Sequence, residues 1–494
     1  MSGATKNYLA VDLGAESGRV MLGRLGERGL TLEEVHRFPN GPVKQDGALH
    51  WDFEALMEAI LTGLGKGLAQ APEVASIGVD TWGVDYGLVD KEGRLLENPY
   101  HYRDPRTQGV IKRALETVPK ERIYELTGIQ FMPINTLYQL LETKWNRPEL
   151  LERAAQLVFM PNLVMQRLTG VISAEYTIAS TSQMMDMRTG QWSRELLEAF
   201  GLPAAILPEP MAPGQTVGPL TEAVRERLGC GPVPVVTVGT HDTASAVAGV
   251  PAGHGRPWSY LSSGTWSLPG VETREPVIQH ESMDLTNEGG IEGTIRLLQN
   301  VTGLWLLQEC RRQWAEEGKG YEYSELAQMA EGAEPFQVVI NTSDDVFLTP
   351  GDMPGKIARQ LEAHGERMPE GHGGLTRAIL ENLALRYEQT LARIETATGQ
   401  TAEVVHIVGG GIKNRLLNQL TANATGKQVI TGPVEATVTG NVLVQAMATG
   451  QVGSLSEARA LVAGSFAEEG GTYEPTEQEA WGAFRERAKQ ILTT

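Results

Sequence analysis

The sequence predicts an α/β protein built as two related halves, and three observations carry that prediction. A length of 494 residues exceeds one ordinary core and points to two domains of roughly 200 to 250 residues each. Near the start, two apolar runs, Tyr8–Val11 and Val20–Leu22, flank Asp12-Leu13-Gly14-Ala15-Glu16-Ser17-Gly18, with Arg19 closing the turn. The second half repeats this grammar: Ser259–Leu261, the turn Ser262-Ser263-Gly264-Thr265, then Trp266–Leu268. A glycine-containing turn after a strand brings backbone N–H groups close to a phosphate, because glycine has no Cβ to block approach. A P-loop or a dinucleotide fingerprint would need a helix after the turn. Here Val20-Met21-Leu22-Gly23-Arg24-Leu25 continues as a second strand, so the element is a strand–turn–strand phosphate loop with an acidic residue at its base. The plain alternative is a hairpin with no ligand.

The remaining elements follow in order. Thr31–Phe38 reads as a third strand. Trp51–Gln70 reads as a helix, with Leu56, Ile60, Leu61, Leu64 and Leu68 on its buried face and Asp52 as its cap. Ala75–Asp80 and Tyr86–Val89 are short strands, and Pro99–Thr107 is irregular. Helices are predicted at Glu121–Leu126, Thr136–Trp145 and Pro161–Leu168. In the second half, strand Glu403–Val408 leads through Gly409-Gly410-Gly411 to a helix over Ile412–Thr425, ended by Gly426, and then to strand Gln428–Thr431. The Gly/Pro-rich stretch 249–257 marks the expected boundary, giving domains at 1–248 and 249–494 that close on ligands.

Composition narrows the functional classes. A net charge of −19 disfavours nucleic acid and anionic membranes, so an anionic substrate must be held by local N–H groups and a cation. No apolar stretch approaches the roughly 20 residues of a membrane helix. The polar Met1–Lys6 lacks a signal-peptide core, and Cys230 and Cys310 alone suit a reducing cytosol. These features predict a soluble cytoplasmic enzyme. The nine histidines show no HExxH spacing, which argues against a zinc hydrolase. Lys413 followed by Asn414 rules out a Walker loop at the glycine triplet.

The sharpest chemical segment is Gly239-Thr240-His241-Asp242-Thr243. Asp242 reads either as a cap for a helix starting at Thr243 or as a carboxylate that takes a proton from a sugar hydroxyl attacking phosphorus. Asp12 reads either as a carboxylate satisfied by its turn or as a holder of a Mg²⁺-bound water. Trp82, Tyr86 and Trp266 read as core aromatics or as sugar platforms.

Taken in order, Asp12–Arg19, Asp80-Thr81-Trp82-Gly83-Val84-Asp85, Gly239–Asp242, Ser263-Gly264-Thr265-Trp266 and Gly409–Gly411 resemble the FGGY carbohydrate kinases from about residue 8 to about residue 450. That resemblance implies two actin-like (ribonuclease H-like) domains with a central nucleotide and sugar cleft. Further segments narrow it to family members that phosphorylate the 1-hydroxyl of L-rhamnulose. They are His36–Gly41, Tyr102-Arg103-Asp104, Asn287-Glu288-Gly289-Gly290, Gly303–Gln308 and Gly432–Ala436. L-fuculose, L-xylulose or glycerol are the alternative acceptors. A chaperone-type actin-like ATPase and a non-catalytic sugar sensor are the alternative classes. The ATPase class has no need of a His-Asp pair aimed at a sugar hydroxyl, and no peptide-binding appendage is apparent; the sensor would carry a basic DNA-reading module that is not apparent here.

The matching motifs imply ATP and Mg²⁺ as cofactors, in a monomer or homodimer. Ala15, Glu16, Ser17, Gly18 and Arg19 would embrace phosphates, with Thr265, Gln308 and Gly410 also on the ATP. Gly83, His241, Asp242, Thr243 and Asn300 would hold the sugar, with Asp242 as proton acceptor and Asp12 as the metal-linked acid. Glu16 departs from the small hydroxyl residue common in the family loop, and is expected to point away from phosphate.

Overall fold

The computed structural model describes residues 5–71, 73–252 and 255–492. Met1–Ala4, Gly253 and His254 lie outside the described residues, so the start of the N-terminal segment and part of the 249–257 stretch are not placed. The chain divides into two compact units: residues 1–251, 272–297 and 436–467, and residues 252–271, 298–435 and 468–494.

The first unit is organised by a six-stranded sheet. Its order is Thr216–Pro219, Pro234–Val236, Val74–Thr81, Lys6–Leu13, Ser17–Gly26 and Gly29–Pro39. Lys6–Leu13 runs antiparallel to Ser17–Gly26, with Asp12 opposite Arg19 and Leu13 opposite Gly18. It runs parallel to Val74–Thr81, with Asp12 beside Asp80 and Leu13 beside Thr81. A parallel bridge then joins Thr81 to His241. Three motifs far apart in sequence thus meet at the carboxyl ends of neighbouring strands, the usual ligand edge of such sheets.

Both faces of that sheet are buried by amphipathic helices. Phe53–Gln70 packs Leu56, Ile60, Leu64 and Leu68 against Leu9, Val11, Val20 and Leu22. Asp52 caps it by accepting from the Ala55 N–H at 3.1 Å, and Trp51 belongs to the preceding strand Ala48–Trp51. On the opposite face, helix Ala436–Ala448 brings Val438, Val442 and Leu443 against Tyr8, Ala10 and Met21. Its Gln445 accepts from the Ser76 hydroxyl at 2.8 Å and donates to the Leu9 carbonyl at 3.1 Å.

In the second unit, Trp258–Ser263 pairs antiparallel with Trp266–Thr273 and parallel with Val404–Val408. Gln428–Thr431 and Thr472–Tyr473 extend the sheet on the far side of Val404–Val408. The 28-residue helix Gly371–Thr398 lies in the core of this unit, where Ile379, Leu383 and Tyr387 pack with Val405 and Ile407. The helix expected from Ile412 starts at Arg415 instead. Gly410–Lys413 is a tight 3₁₀ turn, and the Asn414 side chain caps the helix by accepting from the Leu417 N–H at 3.0 Å. A side-chain cap outcompetes apolar periodicity as a start signal here. Gly426 ends that helix in the left-handed conformation, as the sequence predicts.

Candidate active site

The first strand–turn–strand loop is braced by hydrogen bonds of its own. The Gly14 N–H donates to the Ser17 carbonyl at 2.9 Å, and the Asn40 side chain donates to the Gly14 carbonyl at 2.8 Å. Asn40 N–H also reaches the Glu16 carbonyl at 3.0 Å, so His36–Gly41 buttresses the loop. Glu16 itself is exposed and Ala15 and Ser17 are partly so, leaving their backbone accessible. Gly18 has a packing reason beyond phosphate approach: a Cβ there would sit 2.2 Å from the Phe38 ring.

Charge is concentrated behind this turn. Arg19 pairs with Asp12, so the guanidinium expected on phosphate rests on the acid at the base of the loop. Asp80, the strand neighbour of Asp12, is fully buried, accepts from the Asn441 amide and has a second oxygen without a hydrogen-bond partner. Burial, then the negative charge of Asp12, raises its carboxyl well above the ordinary value.

Asp242 opens helix Asp242–Ala248, one residue earlier than the sequence predicts. Its carboxylate accepts from the Thr243 N–H at 2.6 Å and from the Thr243 hydroxyl at 3.1 Å. His241 is the N-cap and, among the described residues, no side chain caps this helix, so the capping reading of Asp242 does not hold; about a third of its side-chain surface stays accessible, which suits a proton acceptor. Burial raises the Asp242 carboxyl; His241 opposes that rise and Asp12 adds to it.

The strand end carrying these residues is held from beneath by Glu175. Its buried carboxylate takes the Thr177 N–H at 2.9 Å, the Thr177 hydroxyl at 2.6 Å and the Thr240 hydroxyl. Thr177 in turn accepts from the His241 N–H at 3.1 Å. Gly83 borders the same place: a Cβ on it would lie 3.3 Å from His241 Nε2.

Next in the chain, Val84 is held at φ +69°, a strained conformation for a β-branched residue. The hydroxyls of Thr181 and Thr136 fix its N–H and C=O at 3.1 and 2.6 Å. Trp82 and Tyr86 are buried, which favours their reading as core. Trp82 and Trp51 both donate to Asp85, at 3.0 and 2.7 Å.

The first unit thus gathers Asp12, Ala15–Arg19, Gly83, His241, Asp242 and Thr243. The other predicted residues belong to the second unit. There the Thr265 carbonyl accepts from the N–H groups of Gly303 and Trp305, at 3.1 and 3.2 Å. That ties the turn to the start of helix Trp305–Glu316, which carries Gln308. The Gln308 side-chain oxygen is buried without a hydrogen-bond partner, an acceptor suited to a ligand donor. Asn300 immediately precedes the short strand Val301–Thr302, which pairs with Trp266 and Ser267.

Gly409 and Gly411 pack on Ser263. A Cβ on Gly411 would come within 2.0 Å of its hydroxyl oxygen, and Gly409 is left-handed at φ +87°. Gly410 alone of the three faces open space, with nothing within 4 Å of a would-be Cβ.

Among the described residues, no group of three His, Cys, Asp or Glu side chains is arranged to hold a metal. A Mg²⁺ that keeps most of its waters and takes one carboxylate plus substrate phosphates remains compatible with Asp12. Among the same residues, no helix is long and apolar enough to cross a membrane.

Two α/β units, each with a strand–turn–strand loop at the edge of its sheet, define an actin-like phosphotransferase fold. The chain matches the N-terminal domain of the FGGY family of carbohydrate kinases over residues 7–249 and the C-terminal domain over 259–449, and it belongs to that family. It is a sugar kinase. It is 45% identical over 480 residues to a rhamnulokinase of Bacteroides thetaiotaomicron, covering 97% of this chain and 98% of that protein. With a rhamnulokinase of Bacillus subtilis it shares 41% identity, over 93% and 94% of the two chains.

Solved structures agree on the fold. A xylulose kinase of Lactobacillus acidophilus gives a TM-score of 0.83 at 17% identity, covering 99% of this chain and 98% of that one. A Plasmodium falciparum glycerol kinase with ADP gives 0.76 at 17%, covering 99% of each.

Three features of the site had no reading from sequence. Asn441 on Asp80 and the support from Glu175 carried no local signal. The packing of Glu288 and Arg296 on His241 had a partial one, since Asn287–Gly290 stood out as a motif without a role.

Proposed function

We propose that this chain transfers the γ-phosphoryl group of ATP to the 1-hydroxyl of L-rhamnulose, giving L-rhamnulose 1-phosphate and ADP. The observation that carries this reading is the 45% identity, over 97% of the chain, with a protein named rhamnulokinase. The geometry around Asp242 is consistent with it. Its partly accessible carboxylate opens a helix close enough to Asp12, at the base of the first turn, to feel its charge.

As O1 attacks the γ-phosphorus, the bond to the β,γ-bridging oxygen breaks and Asp242 takes the hydroxyl proton. His241, Thr243, the Gly83 backbone and Asn300 hold the ketose. The N–H groups of Ala15–Arg19, with Thr265, Gln308 and Gly410, hold the nucleotide. Asp12 would hold Mg²⁺, through water, and the ion when bound would supply charge neutralisation on the phosphates. Arg19 then has two partners to choose between, Asp12 and phosphate. The reaction belongs to the cytoplasm, in keeping with the free thiols of Cys230 and Cys310.

The test is ADP release against a panel of ketoses, aldoses and glycerol, with the product identified by phosphorus NMR. L-rhamnulose should give the highest kcat/KM, and hydrolysis without sugar should be slow because water lacks the contacts that would hold a sugar hydroxyl in line. A higher kcat/KM for L-fuculose, L-xylulose or glycerol would reassign the acceptor. A high basal rate that no carbohydrate raises would overturn the kinase chemistry itself.

A further inference from the structure

Glu288 and Arg296 form a buried ion pair that the reaction above does not use. Glu288 lies on strand Thr286–Gly289 and Arg296 on its neighbour Ile295–Leu298. Arg296 Nη2 donates to Glu288 Oε2 at 3.0 Å, and its Nε donates to the Gly289 carbonyl at 2.8 Å. The arginine side chain is fully buried, and its Nη1 has no hydrogen-bond partner among the described residues. His241 closes a triangle with them. Its Nδ1 is 3.1 Å from Arg296 Nη2 and 3.1 Å from Glu288 Oε2. On the other side of the ring, Nε2 is 3.5 Å from Asp242 Oδ1 and borders Gly83.

Two tautomers compete here, because a proton on Nδ1 would have Glu288 as its acceptor and one on Nε2 would face Asp242. At Nδ1 the guanidinium and the carboxylate stand at equal distances with opposite charges, so their influence on a proton there largely cancels. Asp242 then decides. It faces Nε2, and its own donors, the N–H and hydroxyl of Thr243, are uncharged. A proton on Nε2 is attracted to that carboxylate, whereas a lone pair there would oppose it. Nδ1 is left to accept, and a guanidinium can only donate.

We propose that Arg296, neutralised by Glu288, is a positioning residue that holds His241 in the Nε2–H tautomer and aims that donor at Asp242 and the sugar. His241 then donates to a hydroxyl oxygen of the ketose and keeps Asp242 turned toward the reacting hydroxyl. The effect on turnover rests on the sugar-kinase reading above. The tautomer does not.

The experiment is a long-range ¹H–¹⁵N spectrum of the full chain labelled at histidine, with the His241 signals assigned by their loss in His241→Asn. The expected spectrum has Nε2 protonated and Nδ1 bare; the reverse overturns the proposal. Glu288→Gln/Arg296→Met removes both charges together and leaves no unpaired buried ion. It should lose the pure Nε2–H signature and lower kcat about tenfold or more, with the KM for ATP unchanged. A folded double variant with the wild-type His241 spectrum and wild-type kcat overturns the proposal. Arg296→Lys, which keeps a charged donor, should retain the tautomer and restore most of the rate; loss of the Nε2–H signature there also counts against it. If the double variant does not fold, the wild-type spectrum decides alone. Failure of the wild type to phosphorylate any sugar would sink the catalytic reading while leaving the spectrum to judge the tautomer.

Discussion

The two strand–turn–strand loops share a backbone plan and differ in what stands behind them. Behind the first, Asp12, Arg19, Asp80 and Asp242 crowd charge at the carboxyl ends of adjacent strands. Around the second are Ser263, Thr265, Gly303 and the glycine triplet, all uncharged and, apart from Gly410, closely packed. Under the proposed function, one hairpin would serve proton and metal chemistry and the other would bring backbone near a polyanion. A repeated fold element thus does not carry a repeated function, because the side chains of its neighbours decide which chemistry it serves.

The sharpest way to break this comparison is to neutralise the charged side. Asp242→Asn keeps the shape but cannot take a proton, and kcat should fall on the order of 10²- to 10⁴-fold with ATP binding retained. Near-wild-type ADP release from that variant would remove Asp242 from the chemistry. In the wild type, the base must be ionised and burial raises its carboxyl, so activity should be lost on acidification at a higher pH than an ordinary aspartate would give. A kcat profile that stays flat down to pH 4 would contradict this.

The second loop is tested by steric substitution. Gly411→Ala would drive a methyl against Ser263, and overpacking of this kind costs about 1–3 kcal/mol. Gly410→Ala meets nothing in the protein, so thermal stability should hold while the KM for ATP rises. Melting temperature and ATP kinetics on both variants separate packing from ligand contact. Equal destabilisation by the two would mean that Gly410 is kept for the fold.

These cases also show what was legible in the chain. The turn carrying Asp12 and Gly14 and the helix start at Asp242, to within one residue, could be read because turn chemistry is local. Strands Tyr86–Val89 and Gln428–Thr431 fall where alternation and length put them. The helix start at Arg415 was misplaced because a side-chain cap at Asn414 competes with apolar periodicity. Arg19 was read by position toward phosphate, whereas the strand register sets it opposite Asp12. Long-range polar partners left no trace: Asn441 reaches Asp80 across 361 positions, and Arg296 reaches His241 across 55. Such pairs are fixed by the packing of whole elements, and one sequence does not encode that locally.

The smallest effect also belongs to the charged region, at the end of the segment from Asp80 to Asp85. Asp85 is fully buried and accepts from Trp51, Trp82 and Gln139 side chains and from the Tyr102 N–H. Burial outweighs those four donors and pushes its carboxyl up to about 6. A carboxyl whose folded value lies above its unfolded one binds its proton more tightly in the native state. Its contribution to stability is therefore complete below about pH 4 and is lost as pH rises toward 6. Over that window this group lowers native stability by a few kcal/mol at most, against the many carboxylates whose pairing acts in the opposite sense. Asp85→Asn isolates the term, because an amide does not titrate. The difference in unfolding free energy between wild type and variant, followed from pH 4 to pH 7, should move against the wild type as pH rises toward 6 and level off above it. A difference that is constant across the range would mean that Asp85 stays ionised in the fold. Its four donors, rather than burial, would then set its state.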